Sequence, residues 1–360
     1  MIPLVKPAIF SEQEQFLKEL VHHPEYHTTG HFASLCETWL QSRFTGSRVW
    51  AVSSCTHALE AAFMALDLPA GSEVVMPSWN FVSAGNAAVR AGLKPVWADI
   101  DGQGNICPES VKRVITSKTR ALLVMHYMGI PAQMDTLLEI ATQNNLFVVE
   151  DAAYGLFSEY EEKPLGNFGH ISCISFDHTK PLHAGRGGAL VVNDSRWLEP
   201  VEKIIDMGTD KAAFLRGESP TYQWVSMGSK FRMPEASAAI LWAGLQHYGE
   251  IRNELEQVLS RYNRESGYKI QGRAGAFVIL PQESDRRRVI QQFQEAGIYC
   301  TFHYQPLHQS VFGSRFPSHS ESLEHTNLFA GALLRLPLYA GIRHEEVSQI
   351  IHVLKSTLIA

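Results

Sequence analysis

SFDHTKPLHAGRGG, residues 175–188, runs from a serine closing an apolar run, through a lysine five residues later, to three glycines within four positions. Upstream lies SCIS, a buried-strand pattern, and downstream ALVVND, another. A lone lysine is usually a solvated surface group. Lys180 is followed by a proline and a glycine loop, where backbone can crowd a ligand closely.

Working outward, strands alternate with helices. Strand-like SRVWAVS leads into the helix THALEAAFMAL, whose apolar residues fall at i, i+3, i+4. EVVMPS, KPVWADI, RALLVMHYM and LFVVED follow as strands, separated by helices SAGNAAVRAG, PESVKRVI and MDTLLEIATQNN. SEYEEKPLGNFGH reads as a hairpin. This alternation predicts an α/β fold with a mostly parallel sheet, helices on both faces, and ligands beyond the carboxyl ends of the strands. Residues 11–43 read as amphipathic helices broken around YHTTG, and 235–265 as one long helical segment. Beyond it the pattern changes to a smaller α+β unit: strand GAFVIL, helix DRRRVIQQFQEAG, strand IYCTFHY and helix HEEVSQIIHVLKSTL. The expected division is 1–245, a large domain including the N-terminal helices, and 246–360, a small C-terminal domain.

Composition narrows the classes. With 360 residues, 45% apolar and 19% charged, the chain has the material for a large folded core. A formal charge of -6 and no strongly basic stretch argue against nucleic acid as the main partner. Five scattered cysteines, with no C-x-x-C pair, indicate neither a disulfide framework nor a zinc knuckle. No apolar run approaches the ~18 residues of a membrane span, and MIPLVKPAIF lacks a signal peptide's apolar stretch, so no membrane partner and a cytoplasmic location are expected.

Four strand ends carry chemistry-bearing residues. In AVSSCTHAL, Ser54 and Thr56 add hydroxyls to a helix N-terminus that suits an anion; an ordinary N-cap is the plainer alternative. In MPSWNFVSA, Trp79 and Phe81 read as packing residues or as a ring platform. VVEDAAYG closes an apolar strand with Glu150 and Asp151, costly groups unless paired or facing a site. SCISFDHTK supplies Ser175, Asp177, His178 and Lys180. A phosphate cup, an aromatic face, an acid and a lysine on neighbouring strand ends suit pyridoxal 5'-phosphate. On the residues alone, a nucleotide-binding α/β enzyme remains the rival.

PSWNFVSAGNA, VMHYMGIPAQMDTLLEIA, NLFVVEDAAYG, LGNFGHISCISF, FHYQPLH and LLRLPLY together resemble the DegT/DnrJ/EryC1/StrS sugar aminotransferases, of the type I aminotransferase fold. Within that family the resemblance is greatest to the dTDP-4-amino-4,6-dideoxygalactose transaminases. It implies a ping-pong enzyme that moves an amino group from an amino acid, glutamate first among candidates, to a nucleotide-linked 4-keto-6-deoxyhexose. It also implies a homodimer with shared sites. Lys180 matches the lysine that bonds the cofactor's aldehyde, and Asp151 the partner of its pyridine nitrogen. Ser54, Cys55, Thr56 and Ser175 match phosphate-binding positions, Cys55 through its backbone N–H. Phe81 matches the ring-stacking aromatic. Lys230 falls where relatives place an asparagine that reaches the neighbouring subunit's phosphate. His303, Tyr304 and His308 lie in the segment that approaches substrate, with a packed strand end as the alternative for both histidines.

Four departures stand out. Tyr154 replaces a glutamine beside the cofactor's phenolic oxygen, where its hydroxyl can substitute. Pro181 follows the lysine in place of asparagine. Arg186 reverses an acidic charge in the glycine loop and favours an anionic substrate group. Gly275 stands where a histidine is common. These leave two rivals: the same chemistry on a 3-keto sugar or a non-sugar ketone, and a cofactor-binding protein without transamination. The presence of Lys180 argues against the dehydratases that some relatives become.

Overall fold

The computed structural model describes residues 1–281, 284–319 and 322–358. Its centre is a seven-stranded sheet of β1 (Arg48–Val52), β2 (Glu73–Pro77), β3 (Lys94–Ala98), β4 (Thr119–Met125), β5 (Phe147–Asp151), β8 (Ile171–Ser175) and β9 (Gly188–Val192). The expected hairpin supplies β6 (Glu159–Tyr160) and β7 (Lys163–Pro164). Strand order is β1-β9-β8-β5-β4-β2-β3. All neighbours are parallel except β9, antiparallel to β1 and to β8.

The strands are buried on both faces; β2 to β5 alternate their side chains between two apolar clusters, and β1, β8 and β9 between the first of these and a third. Val74, Met76, Leu123 and Val149 pack with the helices Cys55–Ala65 and Val82–Arg90 on one face. Val75, Leu122, Val124 and Val148 pack with Pro108–Val114 and Met134–Gln143 on the other. A third cluster joins the N-terminal helices Ser11–His22 and His31–Arg43 to the helix Glu235–Gln246 and to a two-stranded sheet. That sheet is β10 (Ala276–Ile279) against β11 (Leu333–Leu336), antiparallel.

One sequence expectation is refined and another corrected. The helical stretch 235–265 is two helices, Glu235–Gln246 and Tyr248–Glu265, broken at His247 (φ -102°, ψ 15°). The His247 ring stacks on Phe10 at 4.0 Å and bonds Glu12 and Glu250, so contacts with the N-terminal segment hold the break. IYCTFHY forms no continuous strand. Ile298 bridges Ile2 and Thr301 bridges Arg335, two different partners, so no ladder propagates. The break near YHTTG is where expected: a four-residue helix ends at Gly30, whose φ of +72° stops it.

Candidate active site

Register decides which strand-end residues meet. Val52 of β1, Gly188 of β9 and Ser175 of β8 lie side by side, and Asp151 of β5 pairs with Cys173. Asp151 follows Val149 onto the face of the helix Cys55–Ala65; Glu150 follows Val148 onto the opposite face. The two adjacent acids therefore have separate fates.

Glu150 is fully buried and saturated. It accepts from His126 Nε2 at 2.9 Å, from the amides of Phe168 and Gly169 at 2.9 Å each, from the Gly166 amide, and from Ser172 Oγ at 2.9 Å. Burial alone would raise its pKa, but His126 and these amides hold it below the usual carboxylate range. Its role is to tie β5 to the 166–172 loop. Asp151 is 5% exposed, and its carboxylate accepts only the Ala153 amide, at 3.2 Å, among the described residues. Burial raises its pKa, with the Ala153 amide, Lys180 and His126 opposing. A buried acid this poorly paired suits a cationic ring nitrogen.

Lys180 is half-buried, and its Nζ stands 3.0 Å from the centroid of the Tyr154 ring. The loop that carries it is built locally. Asp177 caps it by accepting from Thr179 N and Oγ1, and the Lys180 amide closes a turn on the Asp177 carbonyl at 2.8 Å. His183 then anchors the loop, bonding the Ala8 carbonyl at 2.9 Å and accepting the Gly185 amide at 3.0 Å. Burial favours Tyr154 as the neutral phenol, yet the charges of Lys180 and Arg335 outweigh it and lower its pKa.

The glycines have distinct causes. Gly185 has a φ of +70°, which disfavours any side chain. A Cβ on Gly188 would stand 2.5 Å from both the Cys55 nitrogen and the Ser54 carbonyl carbon. That closeness sets β9 directly against the start of the helix Cys55–Ala65, beside Ser175. Ser54 Oγ caps this helix, accepting the His57 amide at 3.0 Å. Burial pushes the Cys55 thiol well up, so it stays protonated. Thr56 occupies the first turn. Ser175 Oγ accepts the Asp177 amide at 3.3 Å. The group forms a backbone cradle at a helix N-terminus, one face of which a Cβ on Gly188 would obstruct.

Aromatic residues wall the site. Trp79 is wholly buried, in edge contact with Tyr127, Tyr304 and Phe329, and is core. Phe81 is 56% exposed, its ring 6.4 Å from that of Tyr304. Tyr304 stacks on His303 at 4.3 Å, and burial raises its pKa well above the usual value. His308 is fixed by Ser78, its Nδ1 2.7 Å from Ser78 Oγ and its amide donating to the same oxygen at 3.0 Å. Arg186 and Lys230 are exposed; Lys230 bridges Asp206 through the backbone.

Arg335 escaped the reading of the sequence. It lies in β11, 5% exposed, and its Nη1 donates to His303 Nε2 at 2.8 Å. Its one sequence signal is a charge inside the apolar run LLRLPLY. Burial first, then the Arg335 and Lys180 charges, drive the His303 pKa down to about 2, so the ring is neutral.

The DegT/DnrJ/EryC1/StrS aminotransferase family model matches residues 7–355. Among curated proteins, the spore coat polysaccharide biosynthesis protein SpsC of Bacillus subtilis is 28% identical, covering 85% of this chain and 84% of its own. An uncharacterized protein of Methanocaldococcus jannaschii is 27% identical, over 90% and 88%. Among solved structures, PseC of Helicobacter pylori, an aminotransferase of pseudoaminic acid biosynthesis, superposes with a TM-score of 0.92 at 22% identity, covering 99% of each chain. Fold, cradle, acid and lysine all accommodate pyridoxal 5'-phosphate, the cofactor of the matched family. The chain belongs to the DegT/DnrJ/EryC1/StrS aminotransferase family.

Proposed function

We propose that the protein transfers an amino group from an amino acid, glutamate foremost, to a nucleotide-linked 4-keto-6-deoxyhexose by a ping-pong cycle. The observation that carries this reading is the poorly paired, buried Asp151 at the sheet's carboxyl edge, within reach of the Lys180 charge. In it, Lys180 bonds the cofactor and Asp151 faces its ring nitrogen. The amides of Cys55 and Thr56, with Ser175, hold its phosphate, and Phe81 covers the ring. Bound there, the cofactor supplies an electron sink for the substrate carbon. Asp151, as a carboxylate, holds a proton on the ring nitrogen. The Lys180 amine, once free, carries the proton to and from the substrate carbon, with the Tyr154 ring beneath its Nζ setting its position. The Tyr154 hydroxyl serves the place where relatives hold a glutamine. Tyr304 and His303 line the substrate side, His308 braces that wall through Ser78, and Arg186 lies on the outer rim.

The enzyme works as a homodimer on this reading. Leu215, Trp224 and Met227 are 70%, 83% and 71% exposed in the segment just before Lys230. Such apolar exposure suits a subunit interface, and Lys230 would then reach a neighbouring phosphate.

The test is product analysis. Glutamate with a nucleotide-linked 4-keto-6-deoxyhexose should yield 2-oxoglutarate and an amino sugar in equal amounts. Turnover of only 3-keto sugars or non-sugar ketones would replace the acceptor. Failure of every acceptor, with cofactor bound, would favour the non-catalytic reading.

A further inference from the structure

We infer that residues 2–10 form a strap that fixes Lys180 relative to the substrate wall, and that His183 is the positioning residue through which the strap acts. The inference rests on the reading above that Lys180 bonds the cofactor and that Tyr304 and His303 line the substrate side.

The loop that carries Lys180 is closed mainly on itself. The Phe176 amide donates to the Gly187 carbonyl at 2.9 Å and the Ala184 amide to the Phe176 carbonyl at 2.8 Å. The turn on Asp177 is likewise internal. Apart from the Lys180 side chain, one hydrogen bond among the described residues ties the loop to anything beyond the strands β8 and β9 that it joins. It runs from His183 Nε2 to the Ala8 carbonyl, at 2.9 Å. A carbonyl only accepts and an amide only donates. The buried imidazole is therefore held neutral in one tautomer, Nε2 donating to Ala8 and Nδ1 accepting from Gly185. The neighbouring Leu182 packs into the third core cluster, close to Gly244 of the helix Glu235–Gln246.

Ala8 lies between two clamps. On one side, Phe10 stacks on His247 and Glu12 bonds the same ring. On the other, Ile2 is buried beside Ile298; its amide donates to Gly297 at 2.7 Å and its carbonyl accepts the Tyr299 amide at 2.8 Å. Leu4, also buried, accepts the Leu338 amide at 3.2 Å. From Ile298 the chain runs through Thr301, which accepts the Arg335 amide at 2.7 Å, to His303 and Tyr304. Residues 2–8 therefore bridge the segment of the substrate wall and the loop of the reacting lysine. Pro3 and Pro7 lock φ at two positions of this short span and make it stiff. The strap sets the gap in which the substrate carbon must meet the lysine amine, and a misplacement of ~1 Å in such a gap costs on the order of 100-fold in rate.

The test breaks the strap at its two ends. His183→Leu removes both bonds and keeps apolar bulk, whereas His183→Gln keeps a donor and an acceptor in one planar amide. The loop amides of His183→Leu should exchange with deuterium on the order of 10-fold faster than those of wild type, with or without cofactor, and those of His183→Gln should not. With pyridoxal 5'-phosphate bound, the pH midpoint of its visible absorbance band should move by about one unit in His183→Leu and stay in place in His183→Gln. The kcat of His183→Leu should fall on the order of 10-fold, with the donor's half-saturating concentration little changed. Pro3→Gly combined with Pro7→Gly touches neither His183 nor the loop, and should reproduce the faster exchange and the moved midpoint in lesser degree. A His183→Leu variant of lower melting temperature with wild-type loop exchange, band midpoint and kcat would make His183 a packing residue and overturn the assignment. Wild-type loop exchange and band midpoint in the double glycine variant would overturn the strap. If the protein binds no cofactor, the reading of Lys180 fails separately, and loop exchange in the apoprotein still decides whether the strap holds the loop.

Discussion

Glu150 and Asp151 are neighbours in sequence and opposites in environment. Glu150 is surrounded by donors, and replacing it with glutamine would set an N–H2 group against amides that already donate. Glu150→Gln should destabilise the fold by roughly 2–4 kcal/mol, measured by denaturant unfolding. The sign of its pH effect follows from its lowered pKa. Its stabilisation is present above the usual carboxylate range and is lost as pH falls through the lower, folded-state value. The variant should therefore lose less stability than wild type on acidification, as melting temperature against pH would show. Asp151→Asn should leave the fold intact while lowering kcat on the order of 10²- to 10³-fold. A variant of lowered stability that kept the wild-type kcat while folded would assign Asp151 to structure. The sequence shows both acids closing an apolar strand, and strand alternation separates them once one face is known. It does not show which face carries the helix Cys55–Ala65.

At the scale of elements, the glycine loop is a packing device as well as a turn. Gly188→Ala forces a Cβ to 2.5 Å from the backbone of Ser54 and Cys55, so β9 and the helix N-terminus must separate. The expected result is a loss of about 1–3 kcal/mol together with weakened cofactor binding, read by unfolding and by cofactor titration. Unchanged cofactor affinity would detach the cradle from phosphate binding. The strand–helix alternation was legible because buried strands and amphipathic helices carry different periods. The break at His247 was not, because Gly244 and Gly249 lie inside the two helices while the break sits at His247, held by Phe10, Glu12 and Glu250. IYCTFHY has a strand's composition, yet its bridging partners, Ile2 and Arg335, come from distant parts of the chain. Arg335 was invisible for the same reason: its burial depends on β11 pairing with β10 and on His303.

Across the whole molecule, Leu215, Trp224 and Met227 gather exposed apolar surface in one segment, which a second copy would cover in the proposed homodimer. If the protein is the proposed homodimer, replacing Trp224 and Leu215 with aspartate should give monomers by light scattering, and activity should fall with it. Monomers retaining full activity would show that each protomer's site is complete without its partner.

On the proposed function, Lys180 and Asp151 hold a cofactor that exchanges its amine with glutamate. The most direct test is the absorbance spectrum of the purified protein with pyridoxal 5'-phosphate, before and after glutamate, beside Lys180→Ala. A visible-edge band in wild type that glutamate converts to the pyridoxamine form, and that the variant lacks, is the expected result. The same band persisting in Lys180→Ala, or a wild-type band indifferent to glutamate and to every other amino acid, would contradict it.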